Sequence, residues 1–153
     1  MTQTSLPLDQ RIDRLAEVAV RVGLGLREGQ ELVMTAPLDA LPLVRRITEH
    51  AYKAGASLVT TLLSDEEMTL ARFRHAPDSA FDTAPGWLFE GMGRAFAGNA
   101  ARLAITGEDP NLLSAQDPEK VSRANRARSK AYLPALERIV NFDINWTIAS
   151  YAT

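Results

Sequence analysis

The residues best placed to do chemistry are the carboxylates Asp39, Asp65, Glu66, Glu67, Glu108 and Asp109. Each follows shortly after an apolar run, so a parallel sheet built from those runs would gather the acids at one rim, beyond the carboxyl ends of its strands. Oxygen donors in such a cluster suit a divalent cation, or attract a cationic group. The same acids also stand at or near predicted helix starts. There a side-chain oxygen caps orphan N–H groups and a carboxylate favours the positive end of the helix dipole. Capping is therefore the preferred reading. The two histidines, His50 and His75, belong to no His-Glu-x-x-His or comparable spacing. Each falls late in a predicted helix, His50 at the helix edge, where the dipole favours it.

Other chemistries lack their residues. Without cysteine there is no disulfide, thiolate metal site or thiol nucleophile, and no Gly-x-Ser-x-Gly occurs. The glycines of Gly23-Leu-Gly-Leu-Arg-Glu-Gly29 suggest a nucleotide loop, but a dinucleotide fingerprint follows a strand and opens a helix. This one does the reverse. Lys120, Arg123, Arg126, Arg128 and Lys130 spread over several faces of one predicted helix with no interleaved aromatics, which describes a solvated or domain-facing surface, not a nucleic-acid groove. Seventeen cations against 19 anions leave a formal charge of −2, too balanced to name a nucleic-acid partner. Trp87 and Trp146 read as core or interface anchors.

The elements that must position these side chains centre on residues 31–65. Glu31-Leu-Val-Met-Thr-Ala36 reads as a strand. A turn at Pro37-Leu38-Asp39 and a helix with Leu43, Val44, Ile47, Ala51 and Ala54 inward come next, and Ser57-Leu-Val-Thr-Thr-Leu-Leu-Ser-Asp65 is a second strand. That is a parallel βαβ unit with a right-handed crossover. Asp39 caps the helix, Pro42 suits its first turn, Gly55 ends it, and Arg45, Glu49 and Lys53 line its outer face. Apolar residues on both parities (Leu58, Val59, Leu62, Leu63) predict a second strand covered on both faces.

Upstream, residues 9–22 form an amphipathic helix with Ile12, Leu15, Ala16, Ala19 and Val22 inward, capped by Asp9 and ended by Gly23. Downstream, Ser64-Asp-Glu-Glu67 has capping-box spacing and opens a helix to His75, before Pro77. Residues 85–97 form a glycine-weakened helix with Leu88, Met92, Ala95 and Phe96 inward. Residues 101–106 are the third strand. Asp109-Pro110 and Asp117-Pro118 each look like a cap with proline at the first helical position. The last helix turns Val121, Ala124, Ala131, Tyr132, Ala135, Leu136 and Ile139 inward and breaks or kinks at Pro134, and residues 145–150 form the fourth strand.

Alternating strands and helices give a three-layer α/β/α fold with a mostly parallel, Rossmann- or flavodoxin-like sheet of about four strands. The 153 residues suit one domain, without repeats, low-complexity tracts or internal linkers. Neither a signal peptide nor an 18-residue apolar span is present, so cytoplasm is the expected compartment. Ending on a strand, the chain is expected to be cut from a longer, two-domain protein. On the residues alone, a standalone flavodoxin-like module that binds a small ligand or protein at its acidic rim stays open. So does an oligomerisation domain acting through Trp87 and Leu88.

Several stretches taken in order carry a resemblance: Leu15 to Glu31, Ala36-Pro-Leu-Asp-Ala40, Ala51-Tyr-Lys-Ala-Gly-Ala56, Ser64-Asp-Glu-Glu67, Gly107-Glu-Asp-Pro110 and Asn145-Trp146-Thr147. Together they resemble the N-terminal domain of the M29 family of metal-dependent aminopeptidases. The resemblance implies an enzyme that removes N-terminal amino acids from peptides, using two divalent ions (cobalt, zinc or magnesium) that activate water and polarise the scissile carbonyl. It further implies that the metal ligands lie in a C-terminal catalytic domain outside residues 1–153. No catalytic, cofactor-binding or metal-binding residue is therefore assigned in this chain, which is expected to be inactive alone. Homodimers with active sites facing an enclosed cavity are the implied assembly, with this domain helping to wall the cavity. Where family chains continue as Tyr-Pro-Thr, this one reads Tyr151-Ala-Thr153.

Overall fold

Strands of a parallel sheet need crossovers, and each apolar run of this chain is separated from the next by at least one helix. In the computed structural model, which describes residues 6–152, four strands pair in the order β2-β1-β3-β4, all parallel. They are β1 (Glu31–Pro37), β2 (Leu58–Ser64), β3 (Ala101–Thr106) and β4 (Trp146–Ser150). One sheet face is covered by α1 (Leu8–Val18), a π-helical turn (Ala19–Leu24) and α2 (Leu41–Lys53), around Leu32, Met34, Leu103 and Ile105. The other carries α4 (Gly86–Ala97) and α5 (Pro118–Val140), around Val33, Phe89, Met92, Phe96, Ala135 and Ile139. This is the expected three-layer α/β/α arrangement. The helix α3 (Glu66–His75) and a 3-10 segment (Asp78–Asp82) add a satellite cluster, where Phe73 and Phe81 pack on Ala124.

Several local expectations are corrected. The first helix does not run regularly to residue 22, because its last turn widens into the π-turn. The widened turn shifts the inward face, so Val20 and Leu24 are buried while Val22 is exposed and Leu15 partly so. Neither Asp9 nor Asp39 caps by its side chain, and the left-handed residue that ends the first helix is Gly25, not Gly23. On α2, Glu49 pairs with Lys53 and Arg46 (3.4 and 3.2 Å), leaving Arg45 out. Strand β2 is an edge strand. Val59 packs on one face and Leu62 on the other, while Leu58 and Leu63 are exposed, so neither face is covered along its length.

The helix expected at Asp109-Pro110 does not form. Asp109 instead accepts the Asn111 N–H at 2.8 Å and holds a run of turns. Asp117, by contrast, accepts the Glu119 N–H at 2.9 Å with Pro118 at the first position, as read from the sequence. Helix α5 continues through Pro134 without a break, and Leu136 faces outward. In α4, Phe89 is buried alongside Met92 and Phe96, and Trp87 is 76% exposed, which removes it from the core.

Candidate functional site

Because all strands run the same way, their carboxyl ends do meet. The sheet's direction of winding reverses between β1 and β3, the position where ligands of such folds gather. The segments from Ala36, Ser64 and Thr106 meet there with Ser150–Ala152, while Thr153 lies outside the described residues. Beside them, towards β2, a cleft of about 460 Å³ is lined by Asp65, Glu66, Glu108, Arg128, Phe73 and Phe89, among others.

Five of the six rim acids, Asp65, Glu66, Glu67, Glu108 and Asp109, are engaged, and Asp39 is not among them. Asp65 Oδ1 accepts the Met68 N–H at 2.9 Å and caps α3, one residue later than the expected Ser64 box, and Ser64 Oγ reaches the Ala36 carbonyl instead. Glu66 Oε1 accepts the Asp109 N–H at 2.8 Å, tying the end of β2 to the loop after β3. Glu67 pairs with Arg74 at 3.8 Å. Arg72, also lining the cleft, donates to the Ala80 and Thr83 carbonyls at 2.8 and 2.9 Å. Among the described residues no three His, Asp or Glu side chains gather so as to hold a metal ion. The rim thus organises loops, and its donor set does not fit a divalent pair.

Neither histidine joins it. His75 is exposed at the end of α3. His50 is buried, not at an edge, and its Nε2 lies 3.0 Å from Asp13 Oδ1, locking α2 to α1. Sequence reading missed this pair because the two residues sit 37 positions apart on different helices. The hydrogen bond from His50 holds the Asp13 carboxyl below its ordinary value, helped by the charges of His50, Arg46 and Lys53. A carboxyl depressed in the folded state contributes stability above its unfolded pKa and loses it as pH falls through the folded one. Asp13→Asn is accordingly expected to separate from wild type in melting temperature at neutral pH and to converge with it as pH drops below about 4. Parallel melting-temperature curves across that range would refute the assignment.

A polar network lies at the opposite, amino end of the sheet. Gln30 is only 6% exposed. Its carboxamide pairs with that of Asn145 (Asn145 Nδ2 to Gln30 Oε1, 3.1 Å), donates to the Asn99 carbonyl at 2.8 Å and accepts the Arg27 N–H at 3.1 Å. Asn145 also donates to the Leu24 carbonyl at 3.1 Å, and a Cβ added at Gly23 would sit 3.0 Å from Thr147 Oγ1, so the Thr147 side chain would have to shift to admit it. The stretch 23–31 and Asn145-Trp146-Thr147 are thus two halves of one joint between the π-turn and β4. Asn145→Ala leaves the Leu24 carbonyl and one Gln30 N–H without partners, at an expected cost of about 1–3 kcal/mol in urea unfolding.

The acid-capped rim, the glycine at the β4 contact and the amide joint coincide with the stretches that carried the resemblance. The sequence profile described as thermophilic metalloprotease (M29) matches residues 8–153. The chain belongs to the M29 family. It is 50% identical over 143 residues to aminopeptidase T of Thermus thermophilus and 48% to that of Thermus aquaticus, covering 94% of this chain and 35% of each relative. Aminopeptidase 2 of Geobacillus stearothermophilus is 35% identical with the same share of its length. A solved structure titled wild-type AmpT from Thermus thermophilus superposes with a TM-score of 0.92 at 48% identity, over 96% of this chain and 37% of that one. The M29 chain described here therefore spans about a third of the length of these relatives. No helix among its described residues is long and apolar enough to cross a membrane.

Proposed function

We propose that residues 1–153 form the N-terminal α/β domain of a longer M29 aminopeptidase, which releases N-terminal amino acids from peptides with a divalent metal pair held by a following catalytic domain. One observation carries this reading: relatives named as aminopeptidases match nearly all of this chain with only about 35% of their own length. The engaged rim acids support it, since their oxygens already serve backbone N–H groups. In this reading the domain walls the active-site cavity and supports domain and dimer contacts, with its acidic rim favouring approach of a free α-ammonium group. The cytoplasm is its compartment.

The purified 153-residue chain is expected to release no amino acid from a peptide with a free N-terminus, with or without added cobalt, zinc or magnesium. The longer protein should release it and lose that activity to a chelator. Robust metal-dependent release by the 153-residue chain alone would sink the proposal. The 460 Å³ cleft favours a second reading, a standalone small-ligand module. A reading frame that continues past Thr153 into His- and Glu-bearing sequence excludes it.

A further inference from the structure

Helix α5 is apolar on two stripes. Ala124, Ala135 and Ile139 face the core. Leu133, Leu136 and Val140, spaced three and four apart, form a second stripe that is exposed, Val140 by 55%. The surface continues past the helix end through Phe142, 77% exposed and stacked at 6.2 Å on Trp146, to Ile148, 59% exposed in the middle of β4. Trp146 and Ile148 share one face of β4, since side chains alternate along a strand, and Trp146 packs on the α4/α5 side. Among the described residues strand β4 pairs with β3 alone, which leaves its outer edge open there.

The topology says what belongs there. The step from β1 to β2 runs one way along the sheet and the step from β3 to β4 runs the other, and α2 and α5 lie on opposite faces. That is what right-handed crossovers require. A further step outward from β4 continues in the direction of β3 to β4. Its connecting helix must then lie on the face of α5, beside α5 and over β4. That is where Leu136, Val140, Phe142 and Ile148 are uncovered.

We infer that this surface seats an amphipathic helix of the polypeptide that follows β4 in the longer M29 protein, an inference that rests on the N-terminal-domain reading above. The M29 relatives are about three times the length of the match, which supplies the chain, and Ala152 leaves β4 at the edge concerned. The apolar contact would fix the angle at which the following polypeptide leaves the sheet.

Hydroxyl-radical footprinting of the 153-residue chain and of the longer protein tests this. Modification of Leu136, Phe142 and Ile148 is expected to fall severalfold in the longer protein, while Tyr52, exposed on α2, stays unchanged. A photoreactive side chain at position 148 should crosslink within the first segment after Thr153, to residues three and four apart. Equal modification in both proteins would overturn the inference while leaving the N-terminal-domain reading intact. So would protection already present in the 153-residue chain and rising with its concentration, because a second copy would then be the occupant. A coding sequence that stops at Thr153 would remove both.

Discussion

Phe81→Ala is expected to lower the unfolding free energy by about 3–5 kcal/mol, the range for deleting a fully buried phenylalanine ring. Phe81 has no exposed surface, although it lies in a short 3-10 segment between two helices. Its ring sits 5.2 Å from that of Phe73, beneath the Arg72 guanidinium at 5.8 Å and the Lys120 ammonium at 5.3 Å. Arg123 closes the arrangement from α5. It donates from Nε and Nη2 to both oxygens of Asp82 at 2.9 and 2.6 Å, and from Nη1 to Asp78 at 2.9 Å. These bonds hold the Asp82 carboxyl below its ordinary value and raise Arg123 above its own. The alanine variant keeps the ionic clamp and loses what the clamp closes on, so the cavity term should appear nearly in full. Phe81→Leu, which keeps much of the volume, should cost about 1–2 kcal/mol. A loss under about 1 kcal/mol for the alanine variant in urea unfolding would show that the segment does not rest on α5. Since Phe73 also lines the cleft at the sheet's carboxyl ends, the same variant should loosen that wall.

The parts of this fold that could be read in the chain are those whose signal is local. Strand β3 falls on residues 101–106, as its apolar run requires, and Asp117-Pro118 opens α5 because a cap and a first-turn proline act within a few residues. Asp109-Pro110 carries the same pair of residues and fails. Its Asp side chain turns onto Asn111, its N–H is taken by Glu66 from a different loop, and no propensity scale contains that bond. The apolar pattern of β2 is ambiguous for a similar reason, since whether Leu58 and Leu63 are covered depends on β2 standing at the sheet's edge, a property of strand order. Likewise the inward side of the first helix depends on a π-turn that regular periodicity does not encode. At the candidate site, the positions of Asp65, Glu66 and Asp109 followed from strand ends, but only Asp65 caps a helix as expected, while Glu66 and Asp109 accept backbone N–H groups of the loop after β3. The Gln30–Asn145 joint and the Asp13–His50 lock did not, because each joins side chains far apart in the chain. The family resemblance nevertheless marked both halves of the first, which places the identity of residues 23–31 and 145–147 on the structural link, not on the chemical one.

Gly107→Ala carries the second large effect, and its cause is steric. At the carboxyl end of β3 the Tyr151 N–H donates to the Thr106 carbonyl at 2.9 Å, and the Thr106 and Ser150 hydroxyls meet at 3.1 Å, so β3 and β4 finish in step. The backbone of Gly107, at φ 157°, then crosses the Tyr151 carbonyl so closely that a Cβ would overlap its oxygen. Backbone, not a flexible side-chain tip, would have to move, and a loss of about 3 kcal/mol or more is expected, above the usual overpacking cost. Gly91→Ala provides the contrast, because a Cβ there meets nothing within 4 Å and the residue lies inside α4. That variant should gain up to about 1 kcal/mol through helix propensity. Two Gly-to-Ala changes of opposite sign in one chain separate local fit from composition, and a Gly107→Ala midpoint equal to wild type would refute the close approach. On the N-terminal-domain reading proposed above, the consequence should reach function in the longer protein. Tyr151 is where the chain leaves β4, so displacing its carbonyl redirects whatever follows, and peptidase activity should fall even where metal content is unchanged.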